Sequence, residues 1–157
     1  MSKSKNENPF TWVDGIEKKK PFMIISEKQA QSYAFISLSG DAVKLLVQLK
    51  ICRKYYRGTE KNGISRAING DPLCFYWNRE LAERHGFNNP NKTLKSMREL
   101  VRYGFVDVLE NNAHRHKKSL FRFDWKWQKI EQDADIELSD AAKTYLEPNR
   151  SKAKQNR

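Results

Sequence analysis

Residues 78–127 read NRELAERHGFNNPNKTLKSMRELVRYGFVDVLENNAHRHKKSLFRFDWKW. Two helices and a hairpin are legible in this stretch. Asn78 has the short acceptor side chain of an N-cap, and the helix it opens is expected over 79–85. Gly86 stands where a left-handed residue closes such a helix. After the turn Asn88-Asn89-Pro90-Asn91 a second helix begins. Asn89 as cap with Pro90 in the first helical position is the natural start, and Asn91 as cap is the alternative. This helix is expected to end at Tyr103, again before a glycine, Gly104. Phe105–Glu110 reads as a strand, 111–117 as a polar turn, and 118–127 as a returning strand. In the latter, Phe121, Phe123, Trp125 and Trp127 alternate with Leu120, Arg122, Asp124 and Lys126. Period two predicts a hairpin with one aromatic face. A hairpin must bury one face, so Phe121 and Phe123 are expected in the core. Trp125 and Trp127 are expected to cover the C-terminal segment or a second copy. Stacking on bases of a single strand is the other use of such a stripe.

At about 100° per residue, the second helix puts Leu94, Met97, Leu100 and Val101 on one side. Lys92, Lys95, Ser96, Glu99 and Arg102 fall on the other. An apolar seam that fixes a helix, backed by a face of donors, suits reading of base edges in a groove. Glu99 is out of place there, and is expected to read a cytosine, to pair with Lys95 or Arg102, or to lie outside the contact.

Upstream, Ser39 reads as an N-cap with Asp41 in the first turn. Leu38 and Val43 flank it as a hydrophobic staple. The helix is expected to run to about Tyr56 and stop before Gly58, with Ala42, Val43, Leu45, Leu46, Leu49 and Cys52 on a broad apolar face. Residues 57–71, with Gly58, Gly63 and Gly70, read as a long loop, and Pro72–Trp77 as a short strand. Two further apolar stretches, Phe22–Ile25 and Tyr33–Leu38, are expected strands. Residues 1–20 are polar apart from Phe10-Thr11-Trp12-Val13, and carry the run Lys18-Lys19-Lys20. Ser139–Leu146 reads as a short helix, and 147–157 as a polar tail with four basic residues. The central order is helix, strand, helix, helix, strand, strand. The fold class is α+β, mainly α, divided as a flexible arm over 1–21, one domain over 22–130, and a short helix with a basic tail over 131–157.

The chain has 157 residues and a net charge of +11, from 30 Lys and Arg against 19 Asp and Glu. With 38% apolar residues, it supports a core of about 100 residues and leaves ragged ends. The excess charge suits a polyanion, whether DNA, RNA or an anionic membrane surface. No apolar run approaches the roughly 20 residues of a membrane span, and Met1–Pro9 lacks the apolar stretch of a signal peptide. Cys52 and Cys74 form no CxxC pair and read as small buried residues of a cytoplasmic protein.

Leu81-Ala82-x-x-x-Gly86-Phe87, Thr93-Leu94, Leu100 and Gly104-Phe105-Val106 resemble the winged helix-turn-helix family over roughly 39–127. With the opening Leu38-Ser39-Gly40-Asp41-Ala42-Val43-Lys44-Leu45-Leu46, the chain looks most like small winged-helix proteins of phages, plasmids and other mobile elements. It departs from them in a longer 88–91 turn and in the 57–71 loop. The resemblance implies a three-helix core with a β-hairpin wing that binds double-stranded DNA. The helix over 90–103 would enter the major groove, and the wing over 111–118 would meet the backbone or minor groove. Asn91, Lys92, Lys95 and Ser96 would read bases. Arg79, Arg98, Arg102, Arg115, Lys117 and Lys118 would contact the backbone, with Arg115 the candidate for a narrow minor groove. The implied role is transcriptional regulation, or replication and maintenance of a mobile element.

No catalysis is expected. His114-x-His116 has no acidic or cysteine partner close by to complete a metal site. It resembles the paired histidines of replication-initiator nucleases, but those favour a hydrophobic residue where Arg115 stands. Tyr55 and Tyr56 continue a helix's apolar side rather than standing as nucleophiles. No glycine loop for a nucleotide is present, so neither a cofactor nor a small-molecule ligand is expected. A homodimer through 139–146 fits the sequence. Use of the domain as a protein-interaction scaffold, or as a binder of RNA or single strands, is the rival reading.

Overall fold

Serine or asparagine opens every α-helix among the described residues, and in each case its side chain accepts from the backbone N–H three residues on. Those first-turn N–H groups have no partner within the helix, so a short side-chain acceptor decides where the helix begins. The structure is a computed structural model and describes residues 25–57 (backbone only over 51–57), 71, 73–112 and 118–147. The helices are α1 (Glu27–Ala30), α2 (Tyr33–Ile36), α3 (Gly40–Arg57), α4 (Arg79–Arg84), α5 (Pro90–Arg102) and α6 (Asp140–Leu146). The strands are β1 (Cys74–Trp77), β2 (Val106–Glu110) and β3 (Ser119–Phe123).

The class is α+β, mainly helical, with a three-stranded antiparallel sheet in the order β1-β3-β2. The central order of α3, β1, α4, α5, β2 and β3 is the one expected, and it is compatible with a winged-helix-like layout. Phe121 on the central strand faces Phe75 on one side and Val108 on the other, and β2 shifts register between Val108 and Glu110. The entry to β1 is pinned by Asp71, whose carboxylate accepts from the Leu73 N–H at 2.9 Å and from Arg122 Nε at 2.7 Å. Arg122 and that N–H hold the Asp71 carboxyl below the usual aspartate range.

Two strand expectations are corrected. Residues 33–38 form the short helix α2 and its exit. Ser32 Oγ accepts from the Phe35 N–H at 3.2 Å, and Ser37 Oγ donates to the Tyr33 carbonyl at 2.8 Å. Hydroxyls at both ends satisfy the turn locally, which outweighs the β preference of the aromatic residues between them. The aromatic stripe also breaks early. The strand ends at Phe123, and Lys126–Lys129 form a 3₁₀ turn. Gly104 explains the break. It sits at φ +77, and a Cβ there would lie 2.6 Å from the Trp127 backbone nitrogen. The chain folds back over that bare Cα, and the Trp127 N–H donates to the Gly104 carbonyl at 3.2 Å. Trp127 is thereby laid flat on Phe105, with ring centroids 5.8 Å apart. Trp125 is left half exposed.

The core sits between α3, α5 and the sheet. Leu45, Leu46 and Leu49 of α3 meet Met97, Leu100 and Val101 of α5 across it, with Phe105, Phe121 and Phe123 beneath. Helix α1 joins it through buried Gln29, which accepts from Lys50 Nζ at 2.8 Å. Helix α6 packs on β2 and α5 and spends Ala142 and Tyr145 within the chain. The arm over 1–21, most of the 22–25 stretch, the loop interior over 58–70 and the tail from 148 lie outside the described residues. No helix among the described residues is long and apolar enough to cross a membrane.

Candidate nucleic-acid interface

Helix α5 is positioned from both ends. Asn89 Oδ1 accepts from the Lys92 N–H at 3.1 Å, and Pro90 occupies the first helical position, which settles the cap in favour of Asn89 over Asn91. At the far end Gly104 lets the chain turn straight into β2. Between them, Thr93, Ser96, Met97, Leu100 and Val101 are buried. Asn91, Lys92, Leu94, Lys95 and Arg102 are exposed.

This is not quite the expected face. Ser96 was expected among the base-reading donors, and it is only 4% exposed. A side chain this buried does not share the outward face, so Ser96 is removed from the contact set. Leu94 was expected in the core and is 38% exposed. The outward face is rotated by roughly 60° from the sequence reading, so that Asn91, Lys95, Arg98 and Arg102 share one narrow stripe.

Glu99 has a structural task. Its Oε2 accepts from the Ser39 backbone N–H at 3.0 Å and from Ser39 Oγ at 2.7 Å. Ser39 Oγ in turn accepts from the Ala42 N–H. In an ordinary capping box the carboxylate comes from the third residue of the same helix. Here that position is Ala42, and a residue 60 positions downstream supplies the carboxylate. Glu99 thus locks α5 to the start of α3. The separation leaves no local sequence signal.

The expected cations are deployed unequally. Lys95 and Arg102 are exposed and form no ion pair among the described residues. Lys92 Nζ lies 3.5 Å from Asp41 Oδ2, with both side chains about half or more in solvent, a weak tether. Arg98 is half-buried against α6. Its Nε donates to the Tyr145 carbonyl at 3.1 Å, and its guanidinium sits 5.8 Å from the Tyr145 ring centroid. Arg98 therefore serves first as a strut between helices. Burial pushes the Tyr145 hydroxyl well above its ordinary pKa, so it stays protonated. On α4, Arg79 is paired with Glu83 at 2.9 Å and Arg84 with Glu80 at 2.6 Å. Lys118 is exposed at the hairpin base, where Asn112 ties the two strands by donating to Ser119 Oγ and to the Lys118 carbonyl. Arg115, Lys117, His114 and His116 lie outside the described residues, as do the side chains of Cys52, Tyr55 and Tyr56.

A groove of about 510 Å³ runs between α4, α5, β1 and β3, with Trp77, Phe87, Pro90, Leu94, Met97 and Tyr145 among its walls. The sequence reading missed it, since its walls come from segments far apart in the chain. Cys74 is half-buried, and burial pushes its thiol up, away from the reactive thiolate. Among the described residues no group of three or more His, Cys, Asp or Glu is placed to hold a metal ion. No family model, curated protein or solved structure matches the chain.

Proposed function

We propose that this chain is a winged helix-turn-helix protein that binds double-stranded DNA without catalysing a reaction, with α5 in the major groove. The observation that carries the reading is the stripe of Asn91, Lys95 and Arg102 on a helix whose opposite face is fixed in the core. A rigid helix with an amide and cations that form no ion pair among the described residues on its outer face can offer donors to guanine and adenine edges while staying in register. Asn91 and Lys95 are the base-reading residues of this proposal. Lys92, Arg102 and Lys118 contact phosphates in this reading, with Arg79 at the edge and Arg115 and Lys117 supplied by the sequence between β2 and β3. The net charge of +11 supplies the long-range attraction. The role is control of transcription, or of the replication and maintenance of a mobile element.

The test is duplex binding as a function of salt, followed by selection of bound sequences from a random pool. If about six phosphates are neutralised, affinity falls on the order of a thousandfold between 50 and 200 mM salt. A flat salt response sinks the proposal. Competition with RNA and single strands separates the duplex reading from its rivals, because either competitor outcompeting duplex DNA overturns it.

A further inference from the structure

The groove between α4, α5, β1 and β3 plays no part in the duplex-binding reading. Its volume of about 510 Å³ falls in the range of small-molecule sites, about 300–1,000 Å³. Its floor is made of buried residues, among them Trp77, Met97, Phe121 and Tyr145. The aromatic walls are braced in two edge-to-face pairs. Trp77 meets Phe87 at 6.5 Å between ring centroids, and Phe121 meets Tyr145 at 5.6 Å. Rings locked against one another hold the shape of the groove, so an occupant need not order them first.

The polar groups of the walls decide what chemistry the groove takes. The neutral ones are engaged within the chain. Asn78 Oδ1 accepts from the Leu81 N–H at 2.9 Å, Thr93 Oγ1 donates to the Asn89 carbonyl at 2.9 Å, and Ser119 Oγ accepts from the Asn112 N–H at 3.0 Å. The charged ones are Arg79, Glu80 and Glu83, so carboxylates outnumber cations here on a chain whose net charge is +11. Glu80 is paired with Arg84, which is not a wall residue, and Glu83 with Arg79. Both pairs lie on an exposed helix face, where such a bond is worth little and is readily exchanged for another cation. Aromatic rings attract a cation as well. An aromatic floor under a carboxylate rim therefore complements a flat organic cation better than an anion or a neutral ring.

We infer that this groove is a binding site for a small planar aromatic cation, packed on Trp77, Phe87 and Tyr145 with its charge at Glu80 and Glu83. This departs from the sequence expectation of no small-molecule ligand, and it does not rest on the duplex-binding reading.

The experiment is an NMR titration of the full chain, without DNA, at neutral pH. The probes are N-methylquinolinium as the cation, quinoline as the neutral ring and quinaldate as the anion. The cation is expected to shift the methyl signals of Leu94 and Met97 saturably and to bind roughly 5- to 30-fold more tightly than quinoline, with quinaldate weaker than both. Replacing Glu80 and Glu83 together by Gln is expected to remove most of that preference. Thermal melting is expected to change little, because both side chains are about half or more in solvent. Leu94→Lys, at an exposed position in the wall, is expected to weaken the cation by roughly fivefold or more. Quinoline or quinaldate binding as tightly as the cation overturns the inference. So does the absence of saturable binding by the cation, or binding that neither substitution changes, since the site would then lie elsewhere. Sedimentation that shows a dimer broken by Leu94→Lys also overturns it, because a second copy would then cover the groove. Duplex binding is measured apart, so none of these outcomes decides it.

Discussion

Helices α4 and α5 are neighbours in the chain and both carry basic residues, yet they use them in opposite ways. In α4 each arginine is matched by a glutamate four residues away, Arg79 with Glu83 and Arg84 with Glu80. Such pairs neutralise a solvated face and add a few tenths of a kcal/mol each, about 0.2–0.5. Only Ala82 of α4 is buried. In α5 the one carboxylate, Glu99, is taken up by Ser39, and Lys95 and Arg102 stand in solvent with no ion pair among the described residues. Five residues of α5 are buried. Net charge does not by itself single out a surface. The proposed interface is placed on α5 because its one carboxylate is withheld there, on an element rigid enough to present the cations that remain.

The largest effect expected from this contrast is on stability. Leu100→Ala removes a side chain with no solvent exposure and is expected to cost about 2–5 kcal/mol in chemical denaturation. Leu81→Ala on α4, only partly buried, is expected to cost less than about 2 kcal/mol. Equal costs would show that α4 is anchored as firmly as α5. Next comes binding. Lys95→Ala is expected to weaken a preferred duplex by about 1–3 kcal/mol and to relax discrimination at one position. Arg79→Ala is expected to cost under about 0.5 kcal/mol, because its charge is already shared with Glu83. If titrations of the two variants gave the same loss, α4 would belong to the contact surface and the contrast would fail.

A third measurement probes the lock between α3 and α5. Glu99→Ala and Ser39→Ala are each expected to destabilise the fold by about 1–2 kcal/mol. The double variant is expected to lose less than the sum, since both remove one shared network. Strict additivity would separate the cap from the carboxylate. The smallest effect is expected from Glu83→Gln, which releases Arg79. Stability should change by less than about 0.5 kcal/mol, while duplex affinity at low salt rises slightly. A fall in affinity would mean that Glu83 itself holds something in the interface.

Much of the architecture follows from chemistry within three or four residues. Asn78, Asn89, Ser39 and Ser139 open the helices expected there, Gly86 adopts the left-handed turn expected of it, and Gly104, expected to follow the helix end, also takes a positive φ. A cap needs only its own acceptor and an N–H three residues on, and a positive φ needs only the missing Cβ. The same chemistry acts at Ser32, where the cap outweighs the β preference of Tyr33, Phe35 and Ile36. Features that depend on segments distant in sequence were not legible. The rotation of α5 was set by how α3 and the sheet pack on it, which buried Ser96 and exposed Leu94. The end of β3 was set by close passage over Gly104, which turned Trp127 inward and Trp125 outward. The place of Glu99 was set by a serine 60 residues upstream. Local propensity tells where an element starts and which side chains it carries. Which of its faces remains open is a property of the neighbours it is packed against, and those are brought together only when the chain closes on its core.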